Sequence, residues 1–151
     1  MIYDRTQTDV EDAIRLRKEK VQKFQELTEA EILTLEKGML TINTLNRIEA
    51  KQEELKRLFN DIGYWNTSIT NKSWSESNIF NVEEFRRLIN NTNVLRDAFF
   101  VYKNTPNTPP ISYHWKDINA LEKILYDLDI MIDDVKNSYR ECGNLQCGET
   151  N

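Results

Sequence analysis

Apolar residues recur along the last third of the chain at Ile118, Leu121, Leu125, Leu128, Ile132, Val135 and Tyr139. The spacing alternates between three and four, so one face of a long helix carries three successive heptads. Ile124 and Met131 widen that stripe beyond a two-stranded coiled-coil seam, which predicts packing inside a bundle. An earlier seam reads Leu45, Ile48, Gln52, Leu55, Phe59 and Ile62, with Gln52 as its one polar position. A third helix-spaced set is Phe85, Leu88, Leu95, Phe99 and Tyr102, where the run Asn90 to Asn93 is expected to fray or kink the helix.

Start and stop signals fit these periods. Thr8-Asp9-Val10-Glu11 matches a capping box, so a first helix is expected from there to about Phe24 or Leu27. Thr28-Glu29-Ala30-Glu31 repeats the box and opens a short helix that Gly38 should end. Thr41 and Asn81 are placed to cap two more helices, and Gly63 closes the first of these. The prolines of "NTPNTPP" break the chain before the last helix. The expected fold is therefore all-α: a bundle of about five helices over residues 1–141, divisible into 1–63 and 79–141, with 142–151 as a tail. Residues 64–80 form one long irregular connection, expected to wrap over the helices.

Composition adds limits on function. Net charge is −5, and charged residues make up 30% of 151 residues. The densest cationic stretch, Arg15 to Lys23, ends a helix that begins with Asp9, Glu11 and Asp12. That order suits the helix dipole and does not imply nucleic-acid binding. No apolar run is long enough to insert in a membrane, and no export signal opens the chain, so no membrane insertion is expected.

Chemistry-bearing residues are sparse. His114 is the only histidine and has no nucleophile with an orienting acid beside it, so packing is its expected role. Cys142 and Cys147 fall short of a zinc ligand set and lack redox spacing; free thiols are expected. Asp127, Asp129, Asp133 and Asp134 lie on a regular helix, which rarely builds a calcium cage, so a solvated acidic face is expected. No cofactor, no metal and no enzymatic activity are expected. Trp65, Trp74 and Trp115 are candidates for ligand contact by stacking on sugar rings, although aromatics at loop–helix junctions more often plug the ends of a bundle core.

Four strings carry a resemblance. "YDRTQTDVEDA", "LTEAEILTLEKGMLTINTLNRIEAKQEELKRL", "GYW" and "FFVYKNTPNTPPISYHWKDINALEKILYDLDIMI" resemble a helical module of tail-associated proteins in phages and prophages of Gram-positive bacteria. The likeness runs from about Ile2 to Ile132. It implies a structural part of the tail, baseplate or fibre, located in the virion after assembly in the host cytoplasm, with other virion proteins as partners. It carries over no site residue. It also implies a homo-oligomer. In that case Gln52, Leu121, Leu125, Leu128 and Ile132 are the expected subunit interface, with glutamines meeting near a symmetry axis and fixing the register. The alternative is a small adhesin that binds host cell-surface carbohydrate through its tryptophans.

Overall fold

A computed structural model describes residues 1–64, 68–112 and 114–143, with the backbone alone from 139 onward. Among these residues the chain is all-helical, with five α-helices and no strand. They are α1 (Gln7–Glu19), α2 (Glu29–Gly38), α3 (Ile42–Asp61), α4 (Val82–Asp97) and α5 (Trp115–Gly143). A 3-10 turn at Val21–Lys23 follows α1. None of these helices is long and apolar enough to cross a membrane.

The caps decide where the helices begin. Thr28, Thr41 and Asn81 each accept a hydrogen bond from the amide three residues on, as expected. The first helix departs from expectation. Its cap is Thr6 rather than Thr8, with Asp9 closing a reciprocal box: the Asp9 carboxylate accepts from the Thr6 amide at 2.7 Å. Aspartate at the third helical position reaches back as glutamate would, so the box fits two residues earlier. The helix also stops at Glu19, short of Phe24, and Phe24 takes a left-handed conformation (φ 55°).

Helices α3, α4 and α5 pack around one core. Ile48, Leu55, Phe59, Phe85, Leu88, Leu95 and the α5 stripe from Leu121 to Ile132 are almost wholly buried. Helices α1 and α2 form a hairpin whose main contacts are internal. Gly38 is the reason that the hairpin closes: a Cβ there would lie 2.2 Å from the Asp9 carbonyl oxygen and 2.4 Å from the Ala13 Cβ. Its role is therefore to permit close approach of two helices, where the sequence suggested only a stop.

The hairpin is tied to the core through the segment before α1. Arg5, buried, pairs with the fully buried Glu122 of α5. Asn119 donates to the Arg5 carbonyl at 2.9 Å, and Trp115 Nε1 donates to Gln7 at 3.2 Å. Glu122 also accepts from Arg47 Nε of α3 at 2.9 Å and from the Ile2 amide at 3.4 Å.

Candidate functional site

The seam residues expected at a subunit interface lie inside their own chain. Gln52, Leu121, Leu125, Leu128 and Ile132 are buried at 1% exposure or less. In the single chain the three long helices supply one another's partners. Gln52 Nε2 donates to the Leu88 carbonyl and to Thr92 Oγ1, both at 2.9 Å, and its Oε1 accepts from Asn91 Nδ2 at 3.2 Å. Asn91 and Thr92 belong to the run expected to fray. They are buried within continuous helix instead, because Gln52 and the connection satisfy their polar groups. A buried amide is tolerated only when so paired.

Part of the long connection is a strap over α3 and α4. Trp74 is in the core, 6% exposed, with its Nε1 donating to Glu49 at 3.0 Å. Its backbone is clasped by Asn46, which accepts from the Trp74 amide at 2.7 Å and donates to its carbonyl at 3.0 Å. Glu49 also accepts from the Lys72 amide at 3.1 Å and pairs with Arg87. Trp74 is thus a buried plug and not an exposed stacking platform. Trp65 lies outside the described residues, as do Tyr113 and Cys147; for Cys142 only the backbone is described. The Arg87 guanidinium is held above its usual value by its hydrogen bond to Glu49, despite burial, and Lys72 with Arg87 holds the Glu84 carboxyl below its ordinary range.

The acidic face is mostly paired. Asp127 is buried and accepts from Thr105 at 2.9 Å, Asp129 pairs with Lys51 at 2.8 Å, and Asp134 accepts from the Tyr102 hydroxyl. Among the described residues no three His, Cys, Asp or Glu side chains converge as a metal site would require. His114 is exposed, and its Nδ1 accepts from the Lys116 amide at 3.2 Å, a local contact at the start of α5.

Two features of the hairpin are open to solvent. One is a cavity of about 190 Å³ at the base of the α1–α2 hairpin, lined by Val10, Met39, Leu40, Trp115 and Ile118 together with the polar Arg5 and His114. Trp115 lines this opening and is half-buried. The other is the outer surface of the hairpin, where Ile14, Val21, Ile32 and Leu33 are 39–63% exposed and Phe24 is 97% exposed. Helical periodicity alone did not single out these residues. The signal was available as apolar positions in two short helices too small to bury them.

No family model matches this chain, and no curated protein and no solved structure matches it.

Proposed function

We propose that this chain is a non-enzymatic structural protein of a phage virion, a part of the tail, baseplate or fibre that acts by packing helices against neighbouring subunits. One observation carries the reading. The body of α3, α4 and α5 buries its own seams, while the hairpin leaves Ile14, Val21, Phe24, Ile32 and Leu33 open to a neighbour. Five large apolar side chains exposed on one hairpin are material for a surface that meets another macromolecule. The described titratable groups support the same reading, since the buried ones serve as structural pairs. The four strings that resemble phage tail modules supply the virion context.

The carbohydrate-adhesin reading has less support. It needs open aromatic faces, yet Trp74 is buried and the Trp115 indole is tied to Gln7.

Mass spectrometry of purified particles from a strain that carries the gene tests the proposal. The protein is expected in the particles at a fixed ratio to other tail proteins, and its deletion should yield particles with incomplete tails. Particles that lack the protein and assemble normally without it would overturn the reading.

A further inference from the structure

We infer that the α1–α2 hairpin pairs antiparallel with the same hairpin of a second copy, and that each Phe24 ring enters the cavity at the base of the other hairpin. This deepens the subunit-packing reading above and rests on it only for the existence of a neighbour.

The first support is the burial deficit. Only Ala13 and Gly38 are fully buried within the hairpin; Val10, Leu16, Leu27 and Leu35 are half-buried, and five large apolar side chains at 14, 21, 24, 32 and 33 are exposed. Helices of 13 and 10 residues are marginal unless an apolar face is covered.

The second support is the conformation of Phe24. A left-handed backbone costs a residue with a Cβ about 1–2 kcal/mol. Here it holds a phenyl ring almost fully in water at the hairpin tip. Local strain that presents an apolar knob has an evident use where a complementary pocket exists. The base cavity, about 190 Å³ with mostly apolar walls, is such a pocket. A dry apolar cavity of about 150 Å³ is large enough for benzene.

The third support is geometry and charge. Helix α1 rises about 1.5 Å per residue, so some 20 Å separates the base from the tip. When two hairpins overlap fully and antiparallel, the tip of each lies at the base of the other. Setting Phe24 opposite Val10 brings the 3-10 turn that carries Lys23 to the level of Glu11, and Val21 to the level of Ile14. The acidic start of α1 thereby faces the basic end of its copy, whereas a parallel pair would set like charges together. Arg17 falls beside the axis, exposed, with a stem long enough to turn its charge outward. The pairing is isologous and closes at two copies.

Sedimentation equilibrium of the full chain at micromolar concentrations tests the inference, with circular dichroism as the check on folding. A dimer is expected. Phe24→Gly suits the left-handed backbone, so it should keep the fold while raising the dimer dissociation constant about tenfold or more. Lys23→Glu alone and Glu11→Lys alone should each weaken the dimer, and the two together in one chain should restore it. A monomer throughout, a dimer unmoved by Phe24→Gly, or a failure of the paired exchange to restore association would overturn the inference. Any of these, with the protein still present in particles, would leave the virion reading standing.

Discussion

Asn91 Nδ2 donates to Gln52 Oε1 at 3.2 Å, across the interface of α3 and α4 and out of contact with water. That single relationship reverses the sense of the polar position in the α3 seam. It is a bond within one chain, and the second amide proton donor of the pair serves Leu88 and Thr92.

Gln52→Leu is therefore expected to destabilise the fold by about 1–3 kcal/mol, the usual cost of leaving buried polar partners without their bond. Urea unfolding, with the slope unchanged and the midpoint lowered, is the expected result. An unchanged or raised midpoint would show that the buried amide contributes nothing.

Gly38→Ala should part α1 from α2. The added methyl would meet backbone at Asp9 and side chain at Ala13, neither of which can rotate away. Overpacking of this kind costs about 1–3 kcal/mol or more. Hydrogen exchange should show the loss confined to residues 7–38, with α3–α5 still protected.

Glu49→Ala removes the acceptor shared by Trp74, Arg87 and the Lys72 amide. Breaking a largely buried charged pair from one side costs about 3–5 kcal/mol, discounted here because Arg87 is partly exposed. The strap should loosen, so limited proteolysis is expected to cut near residues 68–80 in the variant and not in the parent.

Acid should open the hairpin. The Asp9 carboxyl is held below its ordinary 3.8 by hydrogen bonds from Thr6 and then Lys37, and Glu31 below its ordinary 4.5 by Lys20 and Thr28. A carboxyl depressed in the folded state stabilises that state above its unfolded value, and the gain is lost as pH falls through the folded value. Stability should thus be level well above pH 4.5 and decline as pH falls below it, first through Glu31 and then, below 3.8, through Asp9 as well. Amide signals of α1 and α2 in NMR spectra should weaken before those of α4 as pH is lowered through this range.

The sequence made the helices legible where a local signal and the tertiary structure agree. Thr28, Thr41 and Asn81 each mark a start, and the seams of α3 and α5 mark the core face. It misled at α1, where two overlapping threonine–acid patterns compete and only the docking of Arg5 and Asp9 selects the earlier one. The stop at Glu19 was invisible, because no glycine or proline follows and the turn rests on an unusual Phe24. Asn91 and Thr92 look like helix breakers until Gln52 and the strap are seen to satisfy them. The candidate surface was the least legible. Exposed apolar positions on α1 and α2 resemble core positions in the sequence, and only the structure reveals that nothing covers them.

Glu122 has a mechanical consequence. It grips the segment before α1 through Arg5 and the Ile2 amide, and α3 through Arg47, so two parts of the chain converge on one carboxylate of α5. A pull on the hairpin, as when a tethered neighbour is dragged away, is not borne by the short turn at Met39 and Leu40 alone. The load passes through the guanidinium of Arg5 into the middle of the bundle, and from there across to α3. Force arriving at the hairpin is thereby shared among the long helices.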